Sequence, residues 1–314
     1  MISYAQNFED VMLARVLEDT ARGFYIDVGA MDPRVHSVTC HFYEQGWHGI
    51  NIEPVPSHFA RLVEARPRDI NLNLALGERE EMRELFDVPD TGLASFRAHE
   101  PAAAEASPMP RISLLKTRVT TLAQVCADHA GDATIDFLKI DVEGWERQVI
   151  EGGDWRRFRP RVVVVEATRP NSPEPAWAEW EPHLLTQGYL FVWFDGLNRF
   201  YLREEEAALR RHFTVPPNVF DDFVPWDVVR LERERDSAAA EHARLSESHL
   251  RLVAEHERLA EEHAGTQAAL AGETAERMAR ERELAAVHNS HSWRITAPLR
   301  WLSQHLGSRG RGPH

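Results

Sequence analysis

Cysteine is almost absent from this sequence, since only Cys40 and Cys126 occur among its 314 residues. Two cysteines with apolar neighbours are too few for a disulfide framework, so we expect both to be small buried side chains in a reducing compartment. No run of about 18 uncharged apolar residues is present, so no membrane-spanning helix is predicted. The first 17 residues contain Glu9 and Asp10 and lack the basic region of a secretory signal. The sequence therefore predicts a cytoplasmic protein.

An excess of positive charge is also missing, because 50 acidic residues outnumber 36 lysines and arginines. The formal net charge of -14 argues against a nucleic-acid partner, which needs a concentrated basic surface. The content of 43% hydrophobic and 27% charged residues is that of a soluble globular protein. At 314 residues the chain exceeds what one catalytic core needs, so at least two parts are predicted.

Two glycine-rich motifs that bind phosphates are missing as well. The Gly-x-Gly-x-x-Gly motif of dinucleotide-binding folds would need glycines where Met31 and Arg34 stand, and no Gly-Lys-Ser/Thr sequence occurs. A cofactor without phosphates therefore fits better than NAD. A nicotinamide-dependent sugar oxidoreductase stays as an alternative, which tight binding of NAD would revive.

Short apolar strands alternate with helical segments over the first two thirds of the chain. Strands are predicted at 24–28, 49–52, 70–76, 135–140, 161–166, 190–194 and 200–202, and helices at 6–20, 58–65, 122–127 and 145–151. This alternation predicts βαβ units and a mostly parallel sheet. The last two strands are expected to pair antiparallel across the turn at 195–198. The proline-containing segment 92–110 predicts a loop able to close over a substrate.

Residues 226–290 differ from everything before them, because the segment is rich in Ala, Glu, Arg, Leu and His and free of proline. Two series have a spacing of seven: Leu231, Ala238, Leu245, Leu252, Leu259 and Thr266, then His242, His249, His256 and His263. The spacing predicts a coiled coil that makes homo-oligomers. If the histidines lie in the seam, the coil loosens as pH falls toward about 6, because imidazoles become charged. The alternative is that they are solvated beside another seam.

The candidate site residues follow predicted strands. Asp27-Val28-Gly29-Ala30 ends one strand in a glycine turn, where a ligand can approach backbone amides and Asp27 can hold a cationic or hydroxylated group. Glu53 follows the next strand, at the position where a carboxylate accepts the ribose hydroxyls of an adenosine ligand. Asp141 and Glu143 follow the strand at 135–140. Since the carboxyl ends of parallel strands meet at one edge, the sequence predicts a crevice there whose two further carboxylates suit a sulfonium.

Four segments carry a resemblance to a known family. They include Asp-Val-Gly-Ala at 27–30 and Lys-Ile-Asp-Val-Glu-Gly at 139–144, and they lie at 3–10, 25–30, 49–54 and 138–146. Shorter motifs follow in order at 68–72, 180–182, 195–201 and 216–222. Together they resemble FkbM-type methyltransferases over about residues 1–225. The sequence departs from the family at Met31, where asparagine is common, which puts a polar contact from that position in doubt.

The resemblance implies a Rossmann-like class I methyltransferase sheet, mostly parallel with one antiparallel strand, and S-adenosylmethionine as cofactor. It further implies O-methylation of a sugar, a glycan or a lipid-linked glycan, in bacterial surface polysaccharide biosynthesis, or of a secondary metabolite. The expected domains are 1–225 for the methyltransferase, 226–290 for the coiled coil and 291–314 for a basic aromatic tail. A coiled-coil scaffold of a glycan-assembly complex is the alternative function.

Methyl transfer to a hydroxyl needs a base, for which the candidates are Asp141, then Glu166, then His36, with Glu143 orienting them. Asp27, Gly29 and Ala30 are assigned to the methionine end of the cofactor, Glu53 to the ribose, and Asn73 to the adenine by position. Gln6 and Glu9 either cap the cofactor or line the acceptor pocket, unless they lie on an exposed helix. No metal is expected, although Mg²⁺ held by Asp141, Glu143 or Glu166 is the metal-assisted alternative.

Beyond the predicted coil, Trp293, Trp301, aliphatic residues and arginines give a composition typical of a membrane interface or of a segment that binds a protein groove. Ser-Trp-Arg-Ile-Thr-Ala-Pro at 292–298 resembles a tail of bacterial polysaccharide-assembly proteins, glycosyltransferases especially. The resemblance implies contact with a glycosyltransferase or with a membrane surface through 291–306. A partly disordered end that packs nowhere is the alternative.

Overall fold

The computed structural model of the protein describes residues 1–87, 94–96, 113–170 and 172–306, and the chain divides after Leu231 into two units. The strands are β1 (Ile2–Ser3), β2 (Phe24–Val28), β3 (His48–Ile52), β4 (Ile70–Leu72), β5 (Ala75–Leu76), β6 (Glu81–Asp87), β7 (Ala94–Ser95), β8 (Ser113–Thr120), β9 (Phe137–Ile140), β10 (Val162–Glu166), β11 (Tyr189–Phe194), β12 (Asn198–Arg203) and β13 (Val224–Pro225). The helices are α1 (Glu9–Val16), α2 (Cys40–Glu44), α3 (Pro56–Ala65), α4 (Leu122–His129), α5 (Glu146–Glu151), α6 (Glu181–Thr186), α7 (Trp226–Asn289), α8 (His291–Ile295) and α9 (Ala297–Leu306).

A seven-stranded sheet forms the centre of the first unit, in the order β11-β12-β10-β9-β2-β3-β4. Neighbouring strands run parallel from β10 to β4. β12 pairs antiparallel with both β10 and β11 and is the one antiparallel strand of this sheet. The prediction of a mostly parallel sheet with one antiparallel strand and a final antiparallel pair is therefore confirmed.

Both faces of this sheet are covered, which explains why its central strands are apolar at nearly every position. Successive residues point to opposite faces, so Ile26 joins one hydrophobic cluster and its neighbour Tyr25 the other. The cluster around Ile26 also takes side chains from α4, α5 and α6, whereas the cluster around Tyr25 takes them from α1 and α2. Cys40 and Cys126 are both buried and free, as expected.

A second sheet of four strands, in the order β5-β8-β6-β7, was not predicted. The single strand expected at 70–76 is wrong, because β4 ends at Leu72 in the main sheet and Ala75 begins β5 in the second. β6 and β8 were not predicted because charged residues are mixed with apolar ones along them and only the later residues of each strand are buried. β7 lies inside the predicted loop at 92–110, of which only 94–96 belongs to the described residues.

The segment before the first central strand holds a shorter helix than predicted. Residues 6–20 were expected to be helical, but α1 covers only Glu9–Val16 and begins after Phe8, whose φ is 63°. The interpretation of this segment as an exposed amphipathic helix is wrong for Glu9, which is buried.

The long helix predicted after residue 225 is present, since α7 runs for 64 residues from Trp226. None of its residues is buried. Leu245, Leu252 and Leu259 of the seven-residue series are each at least half exposed, and their pairing with another helix stays a prediction. In the described part of the chain, no helix is both long and apolar enough to cross a membrane.

Candidate active site

A cavity of about 450 Å³ opens at the carboxyl ends of β2, β3 and β9. Gly29 follows β2, Glu53 follows β3, and Asp141 follows β9, so the parallel register brings three separate parts of the chain to one edge. The second sheet contributes further lining through Leu85 and Phe96. The position is the one that parallel α/β sheets favour for ligands.

Most of the residues predicted from the sequence line this cavity. They are Gln6, Glu9, Gly29, Ala30, His36, Glu53, Asp141 and Glu143. Asp27, Asn73 and Glu166 are not among the lining residues. The predicted site is therefore largely assembled, and the three exceptions have different structural roles.

The turn after β2 requires glycine at one position. Gly29 has φ of +84°, and a Cβ there would collide with the backbone carbonyl oxygen of Asp141. The backbone amides of Gly29 and Ala30 both donate to the carbonyl oxygen of Ile52, at 3.0 and 3.2 Å. The expectation of amides available to a ligand is thus corrected, because this turn provides close approach but its N–H groups are already bonded.

Glu53 is buried and held in place by two backbone amides. Its Oε2 accepts from the amide of Met31 and its Oε1 from the amide of Val55, each at 2.8 Å. A carboxylate offers about four lone-pair sites, so each oxygen can accept one more hydrogen bond. Because these amides fix the carboxylate at the cavity wall, Glu53 is oriented to receive two neighbouring hydroxyls.

Asn73 supports Glu53 from outside the cavity. Its side-chain amide donates to the carbonyl oxygens of Glu53 and Pro54, at 2.9 and 3.0 Å. This position follows from the early end of β4 at Leu72, which turns the chain away from the main sheet. The assignment of Asn73 to direct adenine contact is not supported by its placement.

Lys139 is a cavity residue that the sequence reasoning missed. Its Nζ lies 3.1 Å from Oδ2 of Asp141 and 3.7 Å from Oδ1 of Asp27. Burial alone would lower the pKa of Lys139, but the carboxylates of Asp141 and Asp27 outweigh burial and raise the pKa above its usual value. The lysine therefore stays charged and fixes the side chain of Asp141.

Asp27 faces this lysine and not the cavity. The pairing of β2 with β9 places Asp27 directly opposite Lys139, and Oδ2 of Asp27 also accepts from the hydroxyl of Thr39 at 3.0 Å. The signal for this arrangement was in the sequence, because a lysine inside an apolar strand needs a carboxylate on the neighbouring strand.

Among the residues that line the cavity, Glu143 has the properties best suited to proton transfer. Its φ of 53° is in the left-handed region, where a residue other than glycine is strained. Burial, then the neighbouring carboxylates of Asp141 and Glu146, raise its pKa to about 8. Within the described residues no donor hydrogen-bonds its carboxylate, whereas its backbone carbonyl accepts from Ser95 at 2.7 Å. A half-buried carboxyl with a raised pKa that lines a cavity is suited to proton transfer.

Glu166 lies behind the cavity wall at the end of β10. Its Oε2 is buried and has no hydrogen-bond partner. Burial, then the charges of Asp141 and Glu143, raise its pKa far above the usual value. Glu166 does not line the cavity, so its carboxyl is out of reach of an acceptor there and is a poor candidate for the base.

Glu9 and His36 complete the cavity on the side of the N-terminal segment. Glu9 accepts from the side-chain amide of Asn198 at 2.6 Å, and burial followed by the charge of Asp195 raises its pKa to about 7. His36 is exposed and has φ of 57°. No three His, Cys, Asp or Glu side chains are placed to hold a metal ion in the part of the chain that the structure describes.

The chain was compared with known proteins through family models and curated sequences. Residues 27–191 match the model described as the methyltransferase FkbM domain, which is just over half of the chain. The match begins at Asp27 of the glycine turn and includes Glu53, Asp141 and Glu143. No curated protein matches the chain.

Proposed function

This chain belongs to the FkbM methyltransferase family, and we propose that it transfers a methyl group from S-adenosylmethionine to a hydroxyl of a sugar or glycan during assembly of a bacterial surface polysaccharide. The observation that carries this proposal is the convergence of Gly29, Glu53, Asp141 and Glu143 on one cavity. These residues come from the ends of three neighbouring parallel strands, which is the arrangement expected for a nucleoside site.

The residues at the cavity fit S-adenosylmethionine in size and chemistry. A volume of about 450 Å³ is within the range of small-molecule sites. Glu53 has acceptor capacity for the ribose hydroxyls, and Ile52, Ala75 and Leu76 provide apolar wall for the adenine. When bound, this cofactor supplies an electrophilic methyl group on a positively charged sulfur, and the carboxylates around the cavity offset that charge.

We assign Glu143 as the base that takes the proton of the acceptor hydroxyl. When ionised, Glu143 would take the proton of the acceptor hydroxyl as the hydroxyl oxygen bonds to the methyl carbon and the carbon–sulfur bond breaks, which leaves a neutral methyl ether and a neutral thioether. Asp141, fixed by Lys139, accepts a hydrogen bond that orients the acceptor. This assignment differs from the sequence-based one, in which Asp141, Glu166 and His36 were the candidates for the base and Glu143 oriented them.

The chemical class of the acceptor is inferred from the cavity residues that are not assigned to the cofactor. Trp145 and Phe96 both line the cavity, with ring centroids 5.2 Å apart, and the carboxylates of Asp141 and Glu143 lie on the same cavity. An aromatic surface beside carboxylates suits a polyhydroxylated ring, which has apolar C–H faces and hydroxyl edges. A secondary metabolite with a free hydroxyl is the second acceptor class that these groups could bind.

Calorimetry with S-adenosylmethionine and its demethylated product tests the cofactor site. Glu53→Gln should weaken binding by about 10- to 100-fold, because it removes a charged acceptor of hydroxyl hydrogen bonds. Glu78→Gln, at a half-exposed carboxylate outside the cavity, is the matched control and should bind normally. An unaltered protein with no affinity for either nucleoside contradicts the proposal.

Incubation with labelled S-adenosylmethionine tests the acceptor. Nucleotide sugars and lipid-linked glycans are offered in parallel, and mass spectrometry detects the gain of one methyl group. Methylation of the sugar ring supports the proposal, and methylation of non-sugar hydroxyls alone favours the secondary metabolite class.

Self-association through α7 is the second part of the proposal. Its exposed leucines at a spacing of seven favour pairing with further copies of the chain. A scaffold without enzymatic activity is the less favoured alternative, because it has no need of a buried lysine paired with Asp141 at a cavity.

A further inference from the structure

The two short helices after α7 expose large apolar side chains. In α9, Leu299, Trp301 and Leu302 are 67%, 60% and 46% exposed. At 100° per residue these three lie within one arc of about 160°, which also contains Pro298, whereas Arg300, Ser303 and Gln304 lie on the opposite side. α9 is therefore an amphipathic helix with exposed leucines on its apolar side.

α8 and α9 are held together as one ordered element. The hydroxyl of Ser290 caps α8 by accepting from the amide of Trp293. The guanidinium of Arg300 stacks on the indole of Trp293 at 3.7 Å and donates to its carbonyl oxygen at 2.6 Å. A partner therefore meets a preformed surface of indoles, leucines and an arginine.

Charge distinguishes this element from the rest of the chain. α8 and α9 contain two arginines, Arg294 and Arg300, and no acidic residue, although the whole chain has a net charge of -14. α7 also exposes leucines, but it carries fourteen acidic residues against nine arginines. An anionic surface would therefore attract the α8–α9 element and repel the preceding helix.

We propose that α8 and α9 lie in the surface of an anionic lipid bilayer and attach this chain to it. A short basic helix with an open apolar side is the form that interfacial anchors take, and tryptophan is enriched at the boundary between headgroups and acyl chains. Arg294 is exposed in α8 and faces the headgroup charge, while Leu299 and Leu302 enter the acyl boundary. This inference is independent of methyl transfer.

Co-sedimentation of the full chain with vesicles tests the anchor. We expect binding to vesicles that contain phosphatidylglycerol and at least tenfold weaker binding to pure phosphatidylcholine. Leu299→Ser with Leu302→Ser should weaken binding at least 30-fold, because two buried leucines are lost. Arg294→Gln should weaken binding about fivefold, and added salt should have a similar effect.

A matched control uses two exposed apolar residues of α7 outside the seven-residue leucine series. Leu250→Ser with Met278→Ser removes comparable exposed apolar surface from an acidic helix and should leave vesicle binding unchanged. Equal binding to both kinds of vesicle, or no binding to either, overturns the proposal. Absence of vesicle binding together with retention on an immobilised protein would assign the element to a protein groove instead.

Discussion

The two units of this chain differ in whether their charged side chains are buried or exposed. The first unit buries Glu9, Glu146, Glu166 and Lys139 around its cavity, whereas α7 leaves all of its charged residues exposed. Buried carboxyls are costly and have raised pKa values, which is what proton transfer requires. Burying these groups lowers the free energy of unfolding of the first unit, but it makes them suited to proton transfer. The charged residues of α7 stay in solvent and carry no such cost.

The second unit has a different requirement, because its helix lacks a core of its own. Several arginine–glutamate pairs four residues apart stabilise it locally: Glu247–Arg251, Arg258–Glu262, Glu276–Arg280 and Arg277–Glu281. Each contributes only about 0.2–0.5 kcal/mol. Since helices in proteins take most of their stability from packing, we expect the exposed leucines of α7 to pack against a partner helix.

The largest expected difference between the units comes from replacing one carboxylate in each, Glu143 in the first unit and Glu257 in the second. Glu143→Gln should lower kcat by about 10²- to 10⁴-fold, because the glutamine cannot accept the hydroxyl proton. Steady-state kinetics with labelled cofactor measure this loss, and calorimetry should show that nucleoside binding is retained. Glu257→Gln, at an exposed position of α7, should leave kcat unchanged.

Two outcomes would break the assignment of the base. An unchanged kcat in Glu143→Gln removes Glu143 from proton transfer. Equal loss in Asp141→Asn, with the same pH profile as Glu143→Gln, would favour Asp141 as the group that takes the proton.

The central sheet could be predicted because its strands are apolar on both faces. Ile26, Leu138 and Val163 face one cluster while Tyr25 and Phe137 face the other, so the runs are unbroken and easy to recognise. The second sheet has one exposed side, and its strands alternate charged and apolar residues. β6 and β8 are longer than the central strands, at 7 and 8 residues, but their mixture of charged and apolar residues gives too little periodic signal.

The position of the cavity could be predicted from the sequence, but the roles of its residues could not. A glycine and carboxylates after successive strands locate the cavity, because the carboxyl ends of parallel strands lie at one edge of the sheet whatever their side chains contact. The roles depend on what each side chain contacts: Asp27 contacts Lys139, Asn73 contacts the carbonyl oxygen of Glu53, and Oε2 of Glu166 is buried without a hydrogen-bond partner. Burial and pairing of this kind arise only when distant segments of the chain pack together, so they cannot be deduced from residue type and spacing.

A smaller effect should come from the leucine series of α7. Leu245→Asp with Leu252→Asp should reduce self-association at least 100-fold, because charges replace two apolar positions of the predicted seam. Sedimentation velocity over a concentration series measures the change. The rate of methyl transfer per chain should stay within about twofold, since kcat depends on a cavity in the first unit.

Leu250→Asp is the control for this change, because Leu250 is as exposed as the seam leucines but lies outside their spacing of seven. Equal loss of association in the control would mean that the helix pairs through another face. A chain that is monomeric before any substitution would contradict the coiled coil itself.

The smallest effect is a difference in how the two units respond to pH. The pKa values of Glu9 and Glu146 are raised by burial to about 7, and that of Glu143 to about 8. Between the unfolded value near 4.5 and these values the folded state binds more protons, so the free energy of unfolding falls as pH rises through 7 to 8. Thermal melting of the first unit should therefore be a few degrees higher at pH 6 than at pH 8.5. If the histidines of α7 lie in the seam, the second unit should show the opposite dependence, because positive charges between packed helices weaken association. Sedimentation at pH 8 and 5.5 separates the cases: dissociation at low pH assigns the histidines to the seam, and unchanged association assigns them to solvent.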